Sequence, residues 1–179
     1  YRLEEVGAVL IEGPKCALGL TGADIDMIRS HKRPLKDGID FGYVGDVDHA
    51  NGNILHTLVE AGIVPVMAPL THDGNGNILN TNADTIASET AKALAPYYDV
   101  TLMFCFEKKG VLSNPDDDDS VIPSITPEEF KALVADGTVA GGMIPKLENS
   151  FNAIEHGVKQ VVITLDSAID GKHGTILRG

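Results

Sequence analysis

The sequence predicts an α/β domain with a mainly parallel sheet sandwiched by helices, and three observations carry that prediction. First, the apolar runs "CALGL" (16–20), "IVPVMAPL" (63–70), "VTLMFCF" (100–106) and "VKQVVITL" (158–165) have the pattern of buried strands, nearly continuous where both faces are covered. Second, segments with apolar residues at helical spacing alternate with these runs, as they do in α/β folds. Third, no internal repeat, linker or low-complexity tract interrupts the 179 residues, so a single domain is expected over 1–179.

Each element has its own signal. Leu3, Val6 and Leu10 fall at helical spacing, and Gly13-Pro14 closes that segment. "CALGL" is a short strand followed by the turn "TGAD" (21–24). Residues 27–47 read as the strands of a β-hairpin excursion with Asp37-Gly38 as its turn. In "NILHTLVEAG" (53–62), Ile54, Leu55, Leu58 and Val59 form one helical face, and Gly62 supplies the residue beyond the C-cap. "IVPVMAPL" is a parallel strand, "THDGNGN" (71–77) a turn and "ILNTN" (78–82) a short strand. The next helix runs from about Asp84 to Leu94 with Ile86, Ala87, Ala91 and Leu94 on one face. "SNPDDDDS" (113–120) is a loop. Thr126-Pro127-Glu128-Glu129 starts a helix with a capping box and a proline at its first position; it stops at Gly137. "GGMIPKLENSFNAIEHG" (141–157) is a Gly-Gly turn entering a helix, before the last strong strand.

Composition narrows the function. Fourteen basic against twenty-six acidic residues give a formal net charge of -12, which disfavours nucleic acid and anionic membranes as partners through long-range repulsion. A small anion remains admissible where lysines and backbone N–H groups cluster. Cys16 and Cys105 lie inside apolar runs and are expected to be buried free thiols. No stretch reaches the length of a membrane span, and the first residues lack a signal peptide's basic and apolar regions, so a cytoplasmic location is expected. The start at Tyr1, without methionine, reads like the middle of a fold.

Common motifs for phosphate, dinucleotide and metal chemistry are missing. There is no GxxxxGK[ST] loop, "GNGNIL" does not complete GxGxxG, and neither HExxH nor paired CxxC occurs. The six histidines are scattered and read as surface or loop residues rather than ligands. The acidic run Asp116–Asp119 reads as a solvated loop, since four consecutive carboxylates cannot all face one ion.

Two strand-to-helix junctions remain. Asn80 and Asn82 share one face by the two-residue strand period, and Asp84 opens the following helix. This trio suits either a helix cap with turn-forming asparagines or a set of ligand contacts. Gly141-Gly142 permits close approach of a ligand, with Lys146 about one turn into the next helix; this suits either an ordinary cap with a solvated lysine or a phosphate site. Ligands collect at such junctions in open α/β sheets.

"GLTGAD" (19–24), "DFGYVGDV" (40–47), "AGIVPVMAPL" (61–70), "LNTNADTIA" (79–87), "KKGVL" (108–112), "VIPSIT" (121–126) and "GGMIPK" (141–146) resemble, in the same order, the acetylglutamate kinase branch of the amino acid kinase family. The resemblance runs from Ala17 to Val162. It implies the amino acid kinase fold, with this chain as its C-terminal, nucleotide-binding two-thirds. It also implies MgATP-dependent phosphorylation of the side-chain carboxylate of an N-acylated glutamate, in arginine synthesis, by a homo-oligomer.

By that resemblance Asn80 would contact the substrate, with Asn82 supporting it. Asp84 would orient the lysines that touch the phosphates, and Lys146 would bind the phosphate chain of ATP. Glu107, Gly110, Gly142 and Met143, with Lys146, would hold the nucleotide, and Mg²⁺ would arrive with it; no separate protein metal site is expected. The chain departs from the family at Phe106-Glu107, where Ser/Thr-Asp is usual. It also has no Gly-Gly before Gly141, so the family's N-terminal glycine loops are missing and the chain alone is expected to be inactive or nearly so. N-succinyl-L-glutamate in place of N-acetyl-L-glutamate, or a non-catalytic nucleotide-binding module, are the alternatives.

Overall fold

The computed structural model describes residues 16–169 and 173–179. The helix expected around Leu3, Val6 and Leu10 lies outside them. The chain forms two compact units that meet in sequence between Leu94 and Ala95.

The first unit contains β1 (Cys16–Leu20), β2 (Ile28–Lys32), β3 (Gly45–Ala50), α1 (Gly52–Glu60), β4 (Ile63–Met67), β5 (Leu70–His72), β6 (Ile78–Asn80) and α2 (Ala83–Leu94). β1 and β4 pair in parallel from Cys16 opposite Ile63 to Leu20 opposite Met67. The other strands form a sheet in the order β3-β2-β5-β6. β2 and β3 are the expected antiparallel hairpin, with a register shift between Arg29 and Ser30. Its tip is a two-residue turn in which Asp37 and Gly38 both have positive φ (52° and 79°), and Lys36 and Ile39 exchange backbone hydrogen bonds of 3.2 and 2.9 Å.

The core of this unit gathers Leu20, Met27, Ile28, Leu55 and Ile86, with Val47, Met67 and Leu94 packed against them. α1 begins at an N-cap, Asn51, whose side chain accepts the Ile54 N–H at 3.2 Å, and ends at Gly62 with φ 75°. Val59, expected on the buried face of α1, is exposed instead. The run at 63–70 is broken at Met67 because the chain turns there into β5, which belongs to the other sheet.

The second unit contains β7 (Thr101–Phe106), β8 (Ser124–Ile125), α3 (Pro127–Ala135), α4 (Met143–Glu155), β9 (Gln160–Leu165) and β10 (Thr175–Leu177). Its sheet has the order β7-β9-β10-β8. β7 and β9 are parallel over six residue pairs, from Thr101–Gln160 to Phe106–Leu165. β9 lies inside the sheet, and Val161, Val162, Ile163 and Thr164 are buried. α3 carries the expected capping box: Glu129 N–H donates to Thr126 Oγ1 (3.3 Å), and Thr126 N–H donates to Glu129 Oε2 (2.8 Å). α4 buries Leu147, Phe151 and Ala153, and Phe151 meets Phe130 of α3 with ring centroids 5.5 Å apart.

The α/β class with parallel strand pairs is as expected. Both cysteines are free, as expected, but exposed. Cys105 lies on β7, an edge strand of its sheet among the described residues. Cys16 opens β1, whose first four residues are exposed.

Candidate active site

In the first unit the site residues sit where β6 hands over to α2. β6 is positioned by hydrogen bonds buried beneath it. Thr71 Oγ1 and Thr81 Oγ1 share one at 2.9 Å, and whichever hydroxyl accepts it donates onward, Thr71 to Leu79 O (3.4 Å) or Thr81 to Gly45 O (3.3 Å). The Asn80 N–H donates to Tyr43 O at 2.7 Å, so the hairpin's return strand holds the Asn80 backbone. Burial alternates along this stretch: Leu79 and Thr81 are inside, and Asn80 and Asn82 face out.

The common face expected for the two asparagines is therefore present, although the strand proper ends at Asn80. Asn82 also caps the helix. Its Oδ1 accepts the N–H groups of Asp84 (2.8 Å) and Thr85 (3.2 Å), and its carbonyl accepts that of Ile86 (3.0 Å). Asp84 is half-buried in the first turn of α2, where a carboxylate is favoured by the helix dipole. The two sequence readings of this trio are thus compatible: Asn82 performs the cap, and Asn80 is left facing solvent.

In the second unit the site surrounds the C-terminal end of β7. Phe106, Glu107, Gly110 and Met143 line a cavity of 540 Å³ together with Cys105, Lys108 and Asp166. A second cavity of 260 Å³ shares Lys108, Gly110 and Met143 and is bounded by Val111 and Val139. Gly110 is fixed by close approach: a Cβ there would lie 2.8 Å from Thr175 Oγ1 and 3.0 Å from Val121 Cγ1. Gly141 has φ 57°, and Gly142 is the N-cap of α4 without a side-chain hydrogen bond.

Met143 and Ile144 N–H groups bond back to Ala140 and Gly141 carbonyls, both at 3.3 Å, and Pro145 has no N–H to offer. The Lys146 ammonium lies over the Phe106 ring, 3.3 Å from its centroid, and 6.0 Å from that of Phe104. Lys108 and Lys109 pair with Asp118 (2.7 Å) and Asp119 (2.6 Å) of the acidic loop. These bonds hold the Asp118 carboxyl below the usual range and raise both lysines. Burial, then the nearby Asp166 charge, pushes the Cys105 thiol up.

Among the described residues no three His, Cys, Asp or Glu side chains gather as a metal site, and no helix is long and apolar enough to cross a membrane. Of the histidines, His72 differs from the surface or loop position expected. It lies in β5 with its side chain only 15% exposed and Nε2 2.8 Å from Asp26 Oδ1.

In the first unit Asn80, Asn82 and Asp84 lie at one junction; in the second Glu107, Gly110 and Met143 line the cavity, Lys146 reaches its wall through the Phe106 ring, and Gly142 lines neither cavity. Cys105, Phe106 and Lys108 also line the cavity, and Asp166 joins it without having been expected there. Phe106 had a usable signal, since it lies two residues from Phe104 and so shares its strand face.

The amino acid kinase family model matches residues 8–165. The chain belongs to the amino acid kinase family. Within that family it is similar to the acetylglutamate kinase of Phocaeicola vulgatus, 67% identical over 162 residues. That match takes in 90% of this chain and 63% of the relative, so the chain spans a little under two thirds of the kinase it matches. Among solved structures, it is similar to smu.665 of Streptococcus mutans UA159, 30% identical with a TM-score of 0.73 over 92% of this chain and 61% of that one. The carbamate kinase of Giardia lamblia bound to AMP-PNP has the same fold at 21% identity, with a TM-score of 0.62 over 92% of this chain and 62% of that one.

Proposed function

We propose that this amino acid kinase chain is the greater part of an enzyme that transfers the γ-phosphoryl group of ATP to the side-chain carboxylate of N-acetyl-L-glutamate, a step of arginine synthesis. The observation that carries the reading is the 67% identity to an acetylglutamate kinase over 90% of the chain. The chemistry suits the residues. A carboxylate nucleophile is already ionised at neutral pH, so no general base is required. What remains is to align two anions and to spread charge on the transferring phosphoryl group.

In this reading a carboxylate oxygen of the substrate attacks the γ-phosphorus, the bond to the β,γ-bridging oxygen breaks, and ADP leaves with that electron pair. Asn80 presents its amide to the substrate, and Asn82 holds the junction by capping α2. Asp84 orients the cationic groups around the phosphates. Lys146 meets the phosphate chain, while Glu107, Gly110, Gly142 and Met143 form the nucleotide's surroundings. A cavity with an aromatic and thioether wall and lysines at its edge fits a nucleotide. Mg²⁺ arrives on the nucleotide and neutralises phosphate charge. The enzyme works in the cytoplasm as a homo-oligomer, and the reaction belongs to the whole protein rather than to these 179 residues alone.

Trapping acyl phosphate with hydroxylamine tests this. The intact kinase is offered MgATP with N-acetyl-L-glutamate or N-succinyl-L-glutamate. Product from the acetyl substrate supports the proposal, and product from the succinyl substrate alone replaces the acyl group. Nucleotide binding with neither product points to a non-catalytic binding module.

A further inference from the structure

Phe104 and Phe106 lie two residues apart on β7 and so present their rings to one face, stacked at 6.3 Å between centroids and 17° between planes. Phe104 is buried, whereas Phe106 is half-buried and forms part of the wall of the 540 Å³ cavity. Lys146 projects from the first turns of α4, and its ammonium touches the Phe106 ring at 3.3 Å from the centroid. A lysine ammonium is a point charge on a flexible stem, and fixing that stem when an anion arrives opposes binding. An ammonium already held on a ring face has lost that freedom beforehand. The ring accepts only one side of the ammonium, and N–H donors on its other side stay directed away from the ring.

We propose that Phe106 is a positioning residue, whose ring face holds the Lys146 ammonium beside this cavity so that it meets the phosphate chain of a nucleotide. The inference rests on the nucleotide reading above. An aliphatic side chain of similar bulk keeps the cavity wall but has no negative ring face to hold the charge, so Phe106→Leu removes the positioning and leaves most of the packing. Phe106→Tyr keeps the ring.

The test measures binding of ADP and of adenosine to the intact kinase by calorimetry, in the unaltered protein and in Phe106→Leu, Phe106→Tyr, Lys146→Met and Phe106→Leu/Lys146→Met. The expected result is a loss of about tenfold in ADP affinity for Phe106→Leu, within the range of a partly desolvated cation–π contact. Adenosine affinity should be unchanged, Phe106→Tyr should restore ADP binding, and Phe106→Leu should cost nothing further in the Lys146→Met background. Equal losses for ADP and adenosine would mean that the ring merely supports the base, and would overturn the positioning role while leaving the nucleotide reading intact. No ADP binding by the unaltered intact kinase would overturn both.

A ligand-free measurement stands beside these. In the unaltered chain the Lys146 ε-methylene protons should resonate upfield of the other lysines, because they lie over a ring. Their appearance at ordinary positions would overturn the proposal even where Phe106→Leu fails to fold.

Discussion

Thr175 should be worth far more than its size suggests, because a single hydroxyl braces the loop that follows Gly110, a residue of the cavity wall. The residue is fully buried. Its Oγ1 accepts the Val111 N–H at 2.8 Å and donates to the Ile122 carbonyl at 2.7 Å, joining both sides of the loop between Gly110 and Pro123 to β10. Valine has the same shape without the hydroxyl. Thr175→Val therefore leaves Val111 N–H, which is buried, without its acceptor, and Ile122 O, which is partly buried, without this donor. Leaving a buried polar group unpaired costs about 1–3 kcal/mol. Taking about 2 for the amide and about 1 for the less buried carbonyl gives about 3 kcal/mol. The added methyl replaces an oxygen beside Gly110, whose missing Cβ already marks how little space is there.

Urea unfolding followed by circular dichroism measures the effect. Thr175→Ser keeps the hydroxyl and serves as the control, expected to lose about 1 kcal/mol through the missing methyl. The reasoning would be refuted if Thr175→Val were as stable as the unaltered chain within about 0.5 kcal/mol, the usual spread for inconsequential substitutions. It would also fail if serine proved as costly as valine, because then the methyl and not the hydroxyl would carry the contribution.

Other outcomes can be checked as directly. Gly45→Ala places a Cβ 2.8 Å from Leu79 Cβ and 3.0 Å from both Thr71 Oγ1 and Thr81 Oγ1, so it should lower unfolding stability by about 1–3 kcal/mol and weaken amide protection at Asn80 in hydrogen exchange. Cys105 is pushed above its ordinary range by burial and by Asp166; with Cys16 replaced by serine, the iodoacetamide rate should reach half-maximum above pH 9, and Asp166→Asn should bring that midpoint down. Arg33 holds the Asp46 carboxyl below its ordinary value near 3.8, with hydrogen bonds at 2.6 and 3.1 Å. A carboxyl lower in the folded than in the unfolded chain contributes stability above pH 4 that disappears as pH falls through the folded value. The urea midpoint should therefore fall between pH 5 and pH 3 by a larger margin in the unaltered chain than in Asp46→Asn. In the intact kinase, Lys146→Met should lower kcat for acyl phosphate formation by about a hundredfold or more, the scale of losing one group that stabilises transition-state charge.

How much of this was legible in the sequence depended on range. Local chemistry read well. The capping box at Thr126 and Glu129, the Asp37-Gly38 turn and Gly62 after α1 each satisfy backbone demands set within a few residues. The four apolar runs became β1, β4, β7 and β9, because a long apolar run has few other stable fates. Of the short strands, β6 was expected within 78–82, but β8 and β10 did not read. β8 and β10 have two and three residues; β10 exists because β9 offers it an edge, and β8 because β10 does, which no local pattern records. Burial of the cysteines was misjudged for the same reason: an apolar run predicts a strand, but its place in the sheet order decides which residues are covered. The candidate site was legible as residue types at two junctions. The ring beneath Lys146 was not, since it joins residues forty positions apart.

Net charge illustrates why such near contacts decide the chemistry. A formal charge of -12 would repel a nucleotide if charges acted at every distance alike, yet physiological salt screens exposed charges beyond about 8 Å. An anion reaching the 540 Å³ cavity therefore responds to the few groups that line it. Lys108 and Lys109 are already shared with Asp118 and Asp119, so most of their field is cancelled at short range. Lys146 is held against a ring, which attracts a cation through its face without itself carrying a net charge. The acidic loop thus quiets the outer lysines, and the aromatic pair fixes where the Lys146 ammonium sits through a contact that adds no charge of its own.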